Sequence, residues 1–513
     1  MPESTRRRVL LGGAAALGVA ALTGVAMPTG RRAMFSLGVA SGDPLPDGVV
    51  LWTRLAPDPL TLDGGLPDRP VPVEWQVATD ERFGSVVRSG VAVAQGAAAH
   101  SVHVEVSGLR PGTDYFYRFR VGNELSPAGR TRTAPAGPLD RFSFAFASCQ
   151  RYRDGFYNAY HHLAREDLDL VVFLGDYIYE GGSQGRIGRG HRPAHDVRTL
   201  GDYRIRFAQY KSDPDLQAAH AAFPWVATFD DHEVENNWAG DHSESGMPPD
   251  QFRRRRAAAF QAYYEHLPLR AAQRPAGSSM PIHRRLAFGE LIDLHVLDTR
   301  QFRSVQVPGP GRADPGRTIL GAAQKAWLLR DLAASRARWN VLAQQVFFSR
   351  LDPAPGAQTR SDDAWDDYPA ERDEVRDHLA TARNPVVITG DAHASFVCDI
   401  KADFGDPASR TVGTEFVGTS ISSEGDGVDH TAGDLAQLRV NPHLRFVNRK
   451  RGYVRCSVTP ASWTAVYRTV DFVSRPDSPV HDRARFTIEA GRPGARCEDA
   501  AGINGSPGAA CPR

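Results

Sequence analysis

The chain of 513 residues carries almost no surplus of one charge: 61 Lys+Arg against 60 Asp+Glu give a formal net charge of +1. That balance excludes a protein that grips nucleic acid through its overall field. After the N-terminal stretch, no segment is long and apolar enough to span a bilayer. No internal repeat and no phosphate-cradling loop of the form Gly-x-x-x-x-Gly-Lys-Ser/Thr is present. Cysteine is scarce: Cys149, Cys398, Cys456, Cys497 and Cys511 are an odd set, so an exported chain keeps at least one free thiol. Cys497 and Cys511 close a short Gly/Pro-rich loop and are expected to pair. Disorder throughout is excluded by 24 Phe, 14 Tyr and 8 Trp, while 48 Gly and 36 Pro announce many loops. The length suits roughly three domain-sized units, or one large and one small domain.

Arg6-Arg7-Arg8 precede a modest Ala/Gly/Leu stretch that ends near Ala26. A basic head and a short apolar segment read as a secretory signal rather than an anchor, and the paired arginines as the twin-arginine route. Residues 1–33 are therefore expected to be signal and processing region. The mature protein is expected to be exported folded, with the export machinery as its partner, and to be periplasmic, cell-wall-associated or extracellular. It is expected to be a monomer without a membrane span or a nucleic-acid-binding surface.

Residues 36–135 alternate with period two, as in Val73–Ala78, Val102–Val106 and Tyr115–Phe119. They predict a small all-β sandwich, and the turn Leu109–Tyr115 resembles that of fibronectin type III domains. From 141 to 473, short apolar runs alternate with helical segments, which predicts an α/β layered domain. The runs are Phe142–Ala147, Leu170–Leu174, Val226–Phe229, Leu291–Leu297, Val341–Ala343 and Val386–Thr389. Residues 474–513 read as a Gly/Pro-rich tail. The run Arg253–Arg256 reads as a solvated helix face.

Four of the runs end in polar clusters: Ser148-Cys149-Gln150, Gly175–Glu180, Asp230-Asp231-His232-Glu233 with Asn236-Asn237, and Gly390–His393. In open α/β sheets ligands bind beyond the carboxyl ends of strands. Each cluster has an ordinary structural explanation alone: a turn, a helix cap, a scaffold histidine, a small buried thiol. Together they gather carboxylates that repel one another unless multivalent cations sit among them.

The order Gly-Asp-x-x-Tyr, Asp-Asp-His-Glu, Gly-Asp-Ala-His resembles the calcineurin-like metallophosphoesterases. More narrowly, Phe146–Gln150, Leu174–Glu180, Phe229–Asn237, Thr389–His393 and the opening Leu37–Pro44 and Leu51–Arg54 resemble the PhoD family of exported alkaline phosphatases and phosphodiesterases. The resemblance implies a metallophosphoesterase β-sandwich flanked by helices, and metal-activated hydroxide attacking phosphorus in line in a phosphomonoester or diester. Cys149, Asp176, Tyr179 and His393 offer thiolate, carboxylate, phenolate and imidazole, a set suited to ferric iron. Asp176, Asp231 and Asp391, with an Asn236 or Asn237 carbonyl, form an all-oxygen set suited to Ca²⁺, with Mg²⁺ or Mn²⁺ as alternatives. Asp231 and Asp391 stand where the superfamily usually carries Asn and His, which argues against zinc at the second position. His232 is the candidate general acid. Asn236, Asn237 and Arg300 are candidate phosphate contacts, Arg300 being equally suited to an ion pair with Asp298. The competing readings are a Cys149-dependent thiol phosphatase and an exported polyanion-binding or adhesion protein.

Overall fold

The computed structural model describes residues 33–353 and 361–500. The basic head, the apolar leader and Cys511 lie outside the described residues. Among those described, no helix is long and apolar enough to cross a membrane.

Two large sheets face each other. The first has ten strands and includes Phe142–Ala147, Leu170–Leu174 and Pro224–Thr228 side by side and parallel. The second has seven, with Ile292–Val296, Trp339–Gln344, Pro385–Thr389 and Thr411–Val417 parallel to one another. Period-two alternation decides which side chain enters which layer. Phe142, Phe144, Phe146, Leu170, Val172 and Leu174 point between the sheets, against Leu294, Val341, Val386 and Ile388. Their neighbours Ala145, Ala147, Val171 and Phe173 point outward, under the helices Leu200–Lys211 and Pro249–His266. On the far side, Leu342 and Val387 meet Leu328, Leu332, Val375 and Leu379 of the helices Gly321–Ala334 and Pro369–Leu379. The result is helix, sheet, sheet, helix, with each large apolar side chain that is fully buried contributing ~1.5–3 kcal/mol.

The N-terminal strands do form a sandwich, but not a separate one. A five-stranded sheet carrying Val73, Val77, Tyr115, Tyr117 and Phe119 packs on Val49, Leu51, Val102 and Val104. The latter belong to Gly48–Arg54 and Ser101–Val106, which continue the ten-stranded sheet through Val39–Leu45, where Ser41 pairs with Pro224.

Two expectations are corrected. The segment expected to be a tail from 474 contributes two strands, Val480–Glu489 and Arg492–Ala500, at the edge of the large sheet. Ala484, Phe486 and Ile488 alternate into the inter-sheet core, a pattern that Gly/Pro-rich flanks obscured. The run Arg253–Arg256 is not one solvated face. Arg255 and Arg256 are buried, the first paired with Glu235 at 2.6 Å and the second with Asp241 at 2.8 Å. Cys497 is disulfide-bonded, whereas Cys149, Cys398 and Cys456 are free and buried.

Candidate metal and catalytic centre

The carboxyl ends of the parallel strands open at one common edge, and the four polar clusters meet there. Five of their residues that are not glycine hold positive φ: Cys149 (60°), Asp176 (60°), Asn237 (49°), Asp391 (56°) and His393 (48°). Such backbone costs of order 1–3 kcal/mol each and persists only where the surroundings enforce it. Close packing of the turns is part of that enforcement. A Cβ on Gly175 would lie 2.5 Å from the Asp230 Cβ, and one on Gly390 would lie 2.8 Å from the Ser148 side chain. The glycines therefore let the loops come close enough for their acids to share one hollow.

Donor atoms of Cys149, Asp176 and His393 lie within 4.8 Å of one another. The Tyr179 hydroxyl joins this group, donating to Asp176 Oδ2 at 2.7 Å and lying 3.0 Å from His393 Nε2. Two further groups share Asp176 under the same limit: Asp176, Asp231 and His232, and Asp176, Asp230 and Asp391. Asp176 Oδ1 and Asp230 Oδ2 are buried with no hydrogen-bond partner. Unpartnered buried carboxylate oxygens facing several donors fit cations, because an uncompensated buried charge is costly. The chemistry of the donors also fits, with sulfur, phenol and imidazole on one side of Asp176 and carboxylates on the other.

Without a cation the acids strain against each other. Burial pushes Asp176 well above the ordinary carboxylate range; His232 opposes this, and Asp231, Asp230 and Glu233 add to it. Burial and its acidic neighbours likewise raise Asp391. Burial pushes Asp230 up to about 6 against the pull of Arg300. Asp231 goes the other way, because the charges of Arg300 and His232 overcome burial. Burial raises the Cys149 thiol, and Asp176 and Asp391 raise it further.

Several partners had been given no role on the sequence alone. Glu180 accepts from His232 Nδ1 at 2.7 Å and fixes that ring. Glu424 lies 3.2 Å from His393 Nδ1, the carboxylate–histidine arrangement that orients metal-binding imidazoles. Ser423 donates to the Tyr179 hydroxyl at 2.8 Å. Glu233 takes the backbone amides of Asp176, Tyr177 and Asp230, tying two loops together. Glu180 sits inside the Gly175–Glu180 cluster and carried a signal. Glu424 lies in a loop far along the chain and carried none.

Each of the three expected phosphate contacts has partners within the protein. Asn236 and Asn237 both donate their side-chain amides to Glu244, at 2.5 and 2.9 Å, which turns the carbonyl ends away from that carboxylate. Asn237 N also donates to Asp231 at 2.8 Å. Arg300 is fully buried; its Nε donates to Asp230 at 2.5 Å and its two terminal nitrogens to Asp363 at 2.7 Å. From Arg300, Asp298 accepts the backbone amide at 2.9 Å and nothing from the guanidinium; its other partners are the amide and side chain of Gln301, at 3.0 and 2.5 Å. Removing one member of a buried pair leaves a charge stranded, so Arg300→Met is expected to cost about 3–5 kcal/mol of stability. Chemical denaturation of the purified variant checks this, and a midpoint equal to wild type contradicts it.

Helices on the outer faces, two facing sheets and acids gathered at the strand ends define a phosphoesterase architecture. Residues 144–467 match the PhoD-like phosphatase family model and residues 21–135 match its N-terminal domain. The chain is 49% identical over 488 residues to alkaline phosphatase D of Bacillus subtilis (strain 168), covering 92% of this chain and 83% of that protein. A solved structure of PhoD superposes with a TM-score of 0.90 at 48% identity, over 93% of this chain and 95% of the other. The chain belongs to the PhoD-like phosphatase family and is a phosphoric ester hydrolase.

Proposed function

We propose that this enzyme is exported and hydrolyses phosphomonoesters, phosphodiesters or both with the help of two kinds of metal ion. One site would be formed by Cys149, Asp176, Tyr179 and His393 and would suit Fe³⁺. The other would be formed by Asp176, Asp231 and Asp391, with an Asn237 or Asn236 carbonyl, and would suit Ca²⁺. The observation that carries this reading is Asp176, common to all three donor groups and holding a buried oxygen, Oδ1, without a hydrogen-bond partner. When bound, the metals supply Lewis acidity and a nucleophile for in-line attack on phosphorus. The protein's own part is to hold the phosphate, exclude water and move one proton. Glu180 keeps His232 Nδ1 engaged and raises the imidazole above its ordinary value, leaving Nε2 to deliver a proton to the departing oxygen. Export rests on the basic head and apolar leader alone.

Cys149 as a nucleophile is disfavoured. A reactive thiol needs a lowered pKa and a cationic surrounding, while burial and two acids raise this one. Binding of a polyanion without chemistry is disfavoured by the same concentration of acid.

A chromogenic phosphomonoester and a diester, assayed before and after EDTA, test the reading. Activity is expected to vanish on chelation and to return when Ca²⁺ is added to protein that kept its iron. A thiol enzyme would survive EDTA. Iron-loaded Cys149→Ser is expected to lose the thiolate-to-iron absorption band; an unaltered visible spectrum would remove Cys149 from the ligand set.

A further inference from the structure

His232 serves the departing oxygen, which leaves the non-bridging phosphate oxygens without a charged donor from the protein. Arg300 and Arg451 reach the residues of the hollow but have their guanidinium groups engaged. Arg300 is divided between Asp230 and Asp363. Arg451 donates to the carbonyls of Gly425 and His393 and to the Ser420 hydroxyl.

Arg151 is different. Its guanidinium carbon lies 4.0 Å from the centroid of the Tyr179 ring, a cation–π contact that holds the fork beside a proposed metal ligand. His232 packs against the same ring, with centroids 4.2 Å apart. The main chain of Arg151 is pinned, its amide donating to the Ser423 hydroxyl at 3.1 Å and its carbonyl accepting from the Ser422 hydroxyl at 3.0 Å. The nearest carboxylate, Asp154 Oδ2, is 3.5 Å from Nη1, too long for a charge-assisted hydrogen bond. That oxygen already accepts the Glu424 amide at 2.9 Å. The side chain is 22% exposed, so it is not sealed in the core. The sequence placed Arg151 two residues after a candidate ligand and gave it no role.

The geometry points to Arg151 as the residue that binds a non-bridging phosphate oxygen beside Tyr179 and biases the enzyme towards dianionic phosphomonoesters over monoanionic diesters. This rests on reading the hollow as the phosphoesterase site. A planar fork with free N–H groups matches the oxygens of a terminal phosphate. Its attraction grows with substrate charge, and a diester brings one negative charge where a monoester brings two.

The experiment uses metal-loaded wild type, Arg151→Gln and Arg151→Lys. It measures the inhibition constant of inorganic phosphate, kcat and KM for p-nitrophenyl phosphate and for bis(p-nitrophenyl) phosphate, and metal content. For Arg151→Gln, the phosphate inhibition constant and the monoester KM are expected to rise about 10- to 100-fold, the loss of a hydrogen bond to a charged group. A diester keeps two non-bridging oxygens but one charge fewer, so its kcat/KM is expected to fall by a smaller factor than that of the monoester, with metal content unaltered. Arg151→Lys keeps the charge without the fork; it is expected to recover part of the phosphate affinity and covers the case in which the glutamine variant does not fold. An unaltered phosphate inhibition constant overturns the assignment. So does an equal loss on both esters, or loss of metal, since either makes Arg151 a support for Tyr179 alone. Wild type that hydrolyses neither ester sinks the reading of the site itself, an outcome separable from variants that match wild type.

Discussion

Asp176→Asn is expected to cut phosphoester hydrolysis by about 10³-fold or more, beyond the loss usual for a single preorganised charge-stabilising group. Asp176 is the one residue common to all three donor groups, so its removal disturbs both proposed metal positions at once. The replacement has the same shape, and the Tyr179 hydroxyl can still donate to the remaining oxygen. The fold should therefore survive. Metal-free protein should even gain stability, because burial and neighbouring acids make the ionised Asp176 unfavourable in the folded chain. Elemental analysis, turnover of a chromogenic monoester and thermal unfolding with and without metal check the three parts. A variant with wild-type metal content and activity would remove Asp176 from the centre of the argument.

His232→Ala is expected to lower kcat about 10²- to 10⁴-fold while metal content stays near wild type, the range for a lost general acid. The fall should be larger for an alkyl phosphate than for p-nitrophenyl phosphate, since a poor leaving group depends more on protonation. His232 also shares a donor group with Asp176 and Asp231. Loss of metal in the variant would make it a ligand, and an equal fall on both leaving groups would deny it the proton transfer. Glu180→Gln should reproduce a smaller part of the effect by loosening the ring held at 2.7 Å.

The layers were legible because they are local. Apolar runs with flanking turn residues mark buried strands, and the strands Phe142–Ala147 and Leu170–Leu174 have the bounds of those runs. The boundary at 474 failed for a related reason: Val480–Glu489 alternates too, but the glycines and prolines around it outweighed the pattern. The N-terminal sandwich was legible as a set of strands, whereas its sharing of a sheet with Pro224–Thr228 depends on a long-range parallel pairing that no local pattern encodes.

The candidate site divides along the same line. Cys149, Asp176, Tyr179, Asp231, Asp391 and His393 each sit just past a strand, so their types and positions are written in the chain. Which carboxylate offers a free oxygen and which is neutralised is not. Asp230 and Asp231 are adjacent in sequence, yet Arg300 pairs at 2.5 Å with the first and stays 3.8 Å from the second. Asn236 and Asn237 were expected as phosphate contacts; that each gives one side-chain N–H to Glu244 is visible only in the fold.

By itself, then, the sequence determined the family, the layered fold and the donor types, because these follow from strand patterning and from residues next to strand ends. Only the tertiary structure decided who partners whom. Arg300 with Asp363, Glu424 with His393 and Arg151 with the Tyr179 ring are each brought together from distant parts of the chain or across a turn. Distance and direction settle whether a charged group is spent or free.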